Sequence, residues 1–468
     1  MAKLELDDIQ GLLARGYGRL RAARFLVLRF GEAPAARAWL GATAAAVTPA
    51  TEDPHERALQ LALTTTGLQK LGLTGGSLHG LSNEFREGMT TPHRQRVLGD
   101  FNQDDPSRWR WGGTATPPVD AVLMLYTANE EQMTAFAAEQ IAELAHAGIE
   151  PVTSLDATDI GDIEPFGFRD GISQPVAEGI GREGRSEDTL KPGEFVLGYP
   201  NEYGLLTDRP LVEPADDPRN LLPRDSAGSN LKDLGRNGSY LVIRQLEQDV
   251  PAFWKFMEQA ARSADGQWSD QARTLLAAKM VGRWPGGASL ALSPERDAEE
   301  LAKENNFGYH RDDADGLRCP IGSHARRANP RDSLDPDPGS EDSIALNKRH
   351  RILRRGRAYG PLLPPNEAIT AGDDGIERGL HFACLAGNIA RQFEFIQHTW
   401  ANNPKFDELY DEVDPIMGPR GESGATFSIP SCPVRKRVTG IPTFVTVRGG
   451  AYFFLPGLRA LRYLASLS

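Results

Sequence analysis

The pattern of apolar and polar positions predicts an alternation of strands and amphipathic helices along the first 155 residues. Short apolar runs are typical of buried strands, whereas apolar residues that recur every three or four positions are typical of helices. The predicted order is strand, helix, strand, strand, helix, strand, at residues 23–30, 33–47, 57–64, 120–126, 129–146 and 149–155.

A similar order recurs in the second half of the chain. Strands are predicted at 239–244, 380–386, 443–448 and 451–455, and helices at 249–263 and 387–400. Gly449 and Gly450 separate the last two strands and predict a hairpin turn. The repeated order predicts an α+β protein of two similar halves, each an antiparallel sheet with helices packed on one face. The segment 202–237 is rich in proline, aspartate, arginine and asparagine, and the halves are placed at 1–225 and 226–468.

Composition and charge indicate a soluble globular protein and exclude some kinds of binding partner. The chain has 468 residues, of which 40% are hydrophobic and 25% charged, as in soluble globular proteins. Its net charge of −12 argues against nucleic acid and anionic membrane as partners. No apolar stretch of about 18 residues is present to span a bilayer.

Cysteine usage and the N-terminal segment predict a cytoplasmic protein. The three cysteines, Cys319, Cys384 and Cys432, are too few for a disulfide scaffold and lack zinc-site spacing. Sparse cysteine suits a reducing compartment. The first ten residues lack the basic segment and apolar run of a secretion signal.

The first segment with candidate chemistry is 164–175, in which Gly167 and Gly171 bracket Asp170. Glycines permit positive φ and close approach of another surface, so the carboxylate could face a cavity. The alternative is an Asx-turn, in which Asp170 bonds nearby backbone amides. Spacing alone favours that alternative.

Two further segments, 319–331 and 349–361, are rich in arginine. In the first, nearby guanidinium groups favour neutral His324, the form that ligates a metal. A loop histidine bonded to backbone is an equal alternative. The second is strongly basic, which is typical of a solvated face or an anion-binding patch.

Taken in order, these segments resemble the dye-decolorizing peroxidases. The family carries a G-x-x-D-G motif, which Gly167–Gly171 matches, and later H-x-R-x-x-N-P-R and R-I-x-R-R-G-x-x-Y-G-P motifs, which 324–331 and 351–361 match. Residues 6–11, 391–397 and 444–457 also resemble family segments, so the resemblance runs from end to end. It overturns the Asx-turn interpretation of Asp170.

The resemblance implies a fold, a cofactor and an activity. The fold would be two ferredoxin-like halves, with haem in the C-terminal half. The cofactor would be haem b, iron protoporphyrin IX, held without covalent attachment, and the chain contains no C-x-x-C-H sequence. The enzyme would reduce hydrogen peroxide and oxidise aromatic dyes or phenolic reductants through an oxoferryl intermediate. Sheet edges and the family pattern are compatible with a homodimer.

The resemblance also implies roles for single residues. His324 would ligate the iron on the proximal side, and Asp170 with Arg354 would form the distal pair. Arg355 competes with Arg354, because Ala358 stands where family members often carry proline. The remaining candidates are two partners for the haem propionates and one acceptor for the imidazole N–H: Arg326, Arg331 and Glu394.

Two functions from different classes are consistent with these residues. The first is a haem peroxidase with Asp170 as acid and base. The second is a haem-binding or haem-handling protein without physiological peroxidase turnover, which would need His324 but would not need Asp170. Rapid reaction of the haem protein with peroxide would favour the first.

Overall fold

The computed structural model describes residues 3–181, 184–262, 266, 269–372 and 374–467. Nine strands form the main sheet: β1 Ala22–Arg29, β2 Arg57–Leu63, β3 Ala121–Thr127, β4 Glu150–Asp156, β5 Ser239–Gln248, β6 Leu353–Arg354, β7 Arg357–Tyr359, β8 Gly379–Ala386 and β9 Val445–Leu455. Five longer helices accompany them: α1 Ala33–Ala46, α2 Glu130–His146, α3 Val250–Ala260, α4 Asp270–Val281 and α5 Leu458–Ala465.

Shorter elements fill the connections between these strands and helices. The short α-helices are Thr65–Lys70, Gly76–His79, Asn83–Glu87, Pro92–Leu98, Tyr309–Asp313, His324–Ala328, Glu341–Lys348 and Pro365–Thr370. Segments of 3₁₀-helix are Gly11–Leu13, Asn102–Asp104, Pro106–Arg108, Pro192–Glu194, Pro214–Asp216, Glu299–Leu301 and Phe406–Glu408, and π-helical turns are Ala390–Glu394 and Ile396–Ala401. Three small strand pairs are Val176–Ala177 with Thr189–Leu190, Leu211–Val212 with Lys232–Asp233, and Ala425–Ile429 with Lys436–Ile441.

The main sheet joins two copies of one topology edge to edge. Its order is β6-β8-β5-β9-β2-β3-β1-β4, and β7 also pairs with β8 beside β6. Each half therefore has the strand order 2-3-1-4, all antiparallel, which confirms the predicted α+β fold of two ferredoxin-like halves. The two halves meet where β9 pairs with β2 through Phe454 and Leu63. The boundary proposed near residue 225 stays a prediction.

Both faces of the sheet are buried, which explains the continuous apolar runs in the central strands. In β3, Leu123 and Leu125 pack into the core beneath α1 and α2. Val122 and Met124 pack on the opposite face, against the N-terminal segment and loops. Because successive side chains of a strand point to opposite faces, a strand buried on both faces has no polar alternation.

The predicted hairpin at Gly449 and Gly450 is wrong. Both glycines lie inside the single strand β9, where the pairing with β5 shifts between Val447 and Gly449. A Cβ atom at Gly449 would lie 2.4 Å from the indole nitrogen of Trp111. Glycine is therefore required there for the close approach of a tryptophan, not for a turn.

Part of the core outside the sheet supports the segment that contains Asp170. Phe166 stacks on Phe253 of α3 with ring centroids 4.3 Å apart, and Phe168 lies parallel to the Trp254 indole at 6.2 Å. Across the described ranges, the structure contains no helix long and apolar enough to cross a membrane.

Candidate functional site

The loop Gly167–Gly171 has a backbone conformation that its two glycines make possible. Gly167 has φ +95° and Gly171 has φ +78°. No atom lies within 4 Å of a Cβ built at either position, so the positive φ, and not lack of space, favours glycine. Between them, the Asp170 N–H donates to the Asp162 carbonyl at 3.0 Å. The loop thus holds Asp170 by its backbone N–H.

The Asp170 carboxylate forms an ion pair with Arg354. Arg354 Nη1 lies 3.1 Å from Asp170 Oδ1, and the two side chains are 32% and 47% exposed. The Gly171 N–H donates to the same oxygen at 2.6 Å. Enclosure by protein alone would raise the pKa of Asp170, but the Arg354 charge and the Gly171 N–H outweigh it and lower that pKa. The carboxylate therefore stays ionised in mildly acidic solution.

Strand geometry selects Arg354 over Arg355 as the partner of Asp170. Arg354 pairs with Cys384 of β8, and its N–H donates to Gln174 Oε1 at 3.1 Å. Arg355 follows the end of this strand, and its side chain is bound elsewhere. Arg355 Nε donates to the Leu12 carbonyl at 2.7 Å. The competing assignment of Arg355 to the distal pair is contradicted by this geometry.

His324 begins the short helix His324–Ala328 and is bound to a buried carboxylate. Its Nδ1 lies 2.8 Å from Oδ2 of Asp414, which is completely buried. Since a carboxylate only accepts, Nδ1 carries the proton. Burial alone would raise the pKa of Asp414 and lower that of His324. Their mutual attraction reverses both effects, lowering the Asp414 pKa to about 2 and raising the His324 pKa.

The His324–Asp414 pair and the Asp170–Arg354 pair interact electrostatically. The charges of Arg354 and Asp170 both contribute to the pKa of His324, and His324 in turn helps to lower the pKa of Asp170. The imidazole Nε2 has no hydrogen-bond partner among the described residues, and 32% of the side chain is exposed. The structure therefore brings an imidazole with an available nitrogen into the electrostatic field of a carboxylate–guanidinium pair.

The prediction that Glu394 accepts the imidazole N–H is wrong. Glu394 is buried, and its oxygens accept from Arg94 Nη1 at 2.7 Å and from the Tyr452 hydroxyl at 2.8 Å. Asp414 occupies the predicted position beside His324 instead. Glu394 therefore contacts Arg94 of the N-terminal half. The arginine supplies the counter-charge that a buried carboxylate requires.

Arg326 is enclosed in its own loop, which contradicts the prediction that it binds a haem propionate. The side chain is 1% exposed. Its terminal nitrogens donate to the backbone carbonyls of Asp313, Cys319 and Ala314 at 2.9–3.2 Å. These bonds hold together the loop that precedes His324, so Arg326 has a structural role.

Arg331 donates hydrogen bonds to nearby backbone carbonyls and also lines a polar pocket. Its Nη1 donates to the carbonyls of Asn305 and Phe307, both at 3.0 Å, and the guanidinium lies over the Phe307 ring. It also lines a small polar pocket together with Arg351 and Asn347. The predicted contact of Arg331 with a propionate stays a prediction.

Arg351 and Asn347 are candidate ligand-binding residues that sequence reasoning missed. Arg351 is 5% exposed, and its Nη2 lacks a hydrogen-bond partner among the described residues, as does Asn347 Oδ1. Arg331 and Arg354 both lower the pKa of Arg351, although burial lowers it most. Arg351 is the first arginine of the R-I-x-R-R segment, so the motif contained a signal for it.

The chain is similar to named peroxidases over most of its length. No family model matches it. A dye-decolorizing peroxidase of Mycena epipterygia is 30% identical over 87% of this chain and 76% of its own length. The structure of an ancestral D-type dye-decolorizing peroxidase superposes with a TM-score of 0.80 and 28% identity, over 98% of this chain and 99% of that one.

A third relative contains a bound small molecule. It is a dye-decolorizing peroxidase in complex with 2,6-dimethoxyphenol, with a TM-score of 0.78, 26% identity, and coverage of 99% of this chain and 100% of that one. Sequence and fold therefore agree across both halves of the sheet and across the segments that contain Asp170, His324 and Arg354. The chain belongs to the dye-decolorizing peroxidase family of haem enzymes and is a peroxidase.

Proposed function

We propose that this protein binds haem b without covalent attachment and uses hydrogen peroxide to oxidise dyes and phenols. In this proposal His324 is the iron ligand, Asp170 is the acid and base, and Arg354 is the electrostatic partner. The observation that carries the proposal is the Asp170–Arg354 ion pair, which holds a carboxylate and a guanidinium 3.1 Å apart on two of the segments that resemble family motifs. His324, held by Asp414 through Nδ1, supplies the imidazole that a haem site requires.

The residues present fit haem. Nε2 of His324 is available as a ligand, since Asp414 fixes the proton on Nδ1. Arg351 Nη2 and Asn347 Oδ1 are buried polar atoms without partners in the described structure. A carboxylate-bearing ligand would satisfy the arginine, so Arg351 and Arg331 are proposed to hold the propionates. Without a C-x-x-C-H sequence, attachment would be non-covalent.

Haem, when bound, supplies the redox chemistry, and the side chains supply proton transfer and charge stabilisation. Asp170 accepts a proton from one oxygen of peroxide and returns it to the departing oxygen. Arg354 stabilises the negative charge that develops on that oxygen. The ion pair orients Asp170 for both transfers, because it fixes the carboxylate oxygen at 3.1 Å from the guanidinium.

On the opposite side, Asp414 acts through His324. Its Oδ1 accepts the N–H groups of Ile416 and Met417 at 2.8 Å and 3.1 Å, which fixes the carboxylate. The other oxygen then orients the imidazole. A histidine that donates to a buried carboxylate is a stronger electron donor to a bound metal, which favours the higher oxidation states of iron.

The substrates are proposed from the relatives of this chain. Phenols are proposed as reductants because a related structure is a complex with 2,6-dimethoxyphenol, and dyes because the related enzymes are named dye-decolorizing peroxidases. Cytoplasmic location and a homodimer stay predictions. A haem-handling protein without turnover is the alternative, and it would not require the Asp170–Arg354 pair.

The test begins with the purified haem-loaded protein. We expect a Soret band, and oxidation of 2,6-dimethoxyphenol that requires hydrogen peroxide, measured by absorbance with and without peroxide. Arg354→Gln should slow the first reaction with peroxide about a hundredfold, because one donor to a developing negative charge is typically worth that much. Stopped-flow absorbance measures this rate.

Arg355→Gln is the matched control, since it removes the same charge from the next position of the chain. Arg355 donates to the carbonyls of Leu12 and Leu13 and faces away from Asp170. We expect its peroxide reaction to match that of the unmodified enzyme. A haem protein that consumes no peroxide would favour the haem-handling alternative. Equal rates in both variants would contradict the role of Arg354.

The lowered pKa of Asp170 predicts activity in acid. A lowered pKa means that the base stays deprotonated below the usual carboxyl value of about 4 and is lost only as the pH falls through the lower value. Dye oxidation at saturating peroxide should therefore have an acidic optimum. An optimum above neutrality would contradict Asp170 as the base.

A further inference from the structure

Glu164 lies six positions before Asp170 and binds two N–H groups of the same loop. Its Oε1 accepts the Phe168 N–H at 2.9 Å, and its Oε2 accepts the Phe166 N–H at 3.0 Å. The Glu164 backbone also accepts from Gly167 N at 2.8 Å and donates to the Phe168 carbonyl at 2.9 Å. One carboxylate thus satisfies alternate amides at the start of the loop that ends at Asp170.

The same carboxylate connects the loop to the main sheet. Gln248, the last residue of β5, donates from Nε2 to Glu164 Oε2 at 2.7 Å. Gln248 is buried, and its own N–H donates to the Arg378 carbonyl. The loop therefore does not depend on aromatic packing alone, because this hydrogen bond to a rigid strand fixes the position of the loop relative to the sheet.

Backbone bonds transmit this constraint to Asp170. Ile163 and Arg169 form a β-bridge, the Arg169 N–H donates to the Pro285 carbonyl at 3.0 Å, and the Asp170 N–H donates to Asp162 at 3.0 Å. The two sides of the loop are thus paired around the Glu164 carboxylate. Without the hydrogen bonds from the Phe166 and Phe168 N–H groups to Glu164, the paired segment that ends at Asp170 is less rigidly fixed.

We propose that Glu164 is a positioning residue for the reaction with peroxide: it fixes the loop that holds Asp170 against Arg354. It does not touch the reacting atoms. The inference rests on the proposed function of Asp170 and adds a residue that determines its geometry. Burial raises the pKa of Glu164 to about 7, and the Asp170 charge contributes to that rise, so the two carboxylates interact electrostatically.

Glu164→Gln tests the proposal in the haem-loaded enzyme. Glutamine has one acceptor oxygen and one NH₂ group, so it cannot accept from both Phe166 and Phe168. We expect the rate constant of the first reaction with peroxide to fall about tenfold, since a small misplacement of a catalytic group costs one to two powers of ten. The KM for the phenol and the Soret band should not change.

The pH dependence of that rate separates positioning from a simple charge effect. The groups acting on Asp170 are Arg354, His324 and the Gly171 N–H, with Glu164 as the neighbouring acid. Because the pKa of Glu164 is about 7, Glu164 is neutral where Asp170 titrates, so the loss of its charge alone would leave the Asp170 pKa unchanged. Loosening the contact with Arg354 would raise it. The proposal therefore expects the acid limb of the rate to move to higher pH in Glu164→Gln.

Asp162→Asn is the matched control, because it removes a carboxylate from the same loop. Its side chain is 70% exposed beside Arg21, and the bond to Asp170 uses its backbone carbonyl. We expect an unchanged rate and acid limb. If Glu164→Gln does not retain haem, Gln248→Met is the variant that tests the proposal. It removes only the hydrogen bond from β5 to Glu164 and should move the acid limb of the rate to higher pH as well.

Failure of the inference is distinguishable from failure of the proposed function. If Asp170→Asn is slow and the decisive variant matches the unmodified enzyme in rate and acid limb, Glu164 is only structural and the inference is overturned. If the rate falls while the acid limb stays in place or moves to lower pH, the contact with Arg354 is not loosened and positioning is also rejected. If Asp170→Asn itself reacts normally, the proposed function is at fault.

Discussion

Replacing His324 with alanine should remove most of the haem from the purified protein. The imidazole is the proposed metal ligand, and the short helix that it begins has no second histidine. Loss of an outer-shell partner of a metal ligand typically weakens metal binding about 10- to 100-fold, so loss of the ligand itself should weaken haem binding at least that much. The ratio of Soret absorbance to protein absorbance measures the effect.

Two comparisons make this result specific to ligation. His310→Ala removes an exposed histidine from the neighbouring helix Tyr309–Asp313 and should retain full haem content. Added imidazole should restore part of the Soret band to His324→Ala, because a free imidazole can enter the space that the side chain leaves. Full haem content and activity in His324→Ala would show that another residue ligates the iron.

Asp414 shows why the hydrogen-bond partner of His324 could not be found by sequence spacing. It lies 90 positions after His324, in the aspartate-rich segment 406–414, and no periodic pattern connects the two. Glu394 was the better candidate by pattern, since it stands beside an apolar helix face. Its actual partner, Arg94, is 300 positions away, and a contact of that range depends on the tertiary fold.

The fold was more accessible to sequence reasoning than the site. Apolar runs placed the four strands of the first half and β5, β8 and β9 of the second within a few residues, because burial on both faces of the sheet requires such runs. The short, arginine-containing strands β6 and β7 have no apolar run and were missed. The hairpin predicted at Gly449 was wrong because glycine occurs both in turns and at close contacts. Only the structure shows that Trp111 packs against it. Ordered motifs selected Asp170, His324 and Arg354 as candidates, whereas the contacts of Arg326 and Glu394 depend on partners that sequence spacing does not show.

The orphaned atoms of Arg351 and Asn347 illustrate what a sequence motif omits. The motif marks Arg351 and Arg354 alike, but their surroundings differ. Arg354 Nη1 lies 3.1 Å from Asp170, and Arg351 Nη1 lies 3.4 Å from Asp188, but Arg351 Nη2 is buried without a hydrogen-bond partner among the described residues. A buried guanidinium with an unsatisfied nitrogen is costly unless a ligand pairs with it. Burial, and not residue type, therefore separates the proposed propionate partner from the proposed distal cation.

Replacing Asp170 with asparagine should slow the first reaction with peroxide by about 10²- to 10⁴-fold, the usual contribution of a general acid and base. Asparagine has nearly the same shape and can still accept the Gly171 N–H, so the loop should persist. It cannot take a proton from peroxide. Haem content and the Soret band should match those of the unmodified enzyme, because the substitution leaves His324 and Asp414 in place.

The measurement is the dependence of the stopped-flow rate on peroxide concentration, at a pH where Asp170 is ionised in the unmodified enzyme. Asp162→Asn, which neutralises an exposed carboxylate on the same loop, should react at the normal rate. In Asp170→Asn the acid limb of the rate should also disappear, since the titrating group is absent. An asparagine variant with a normal rate and an unchanged acid limb would exclude Asp170 as the base and leave Arg354 as the main distal contributor.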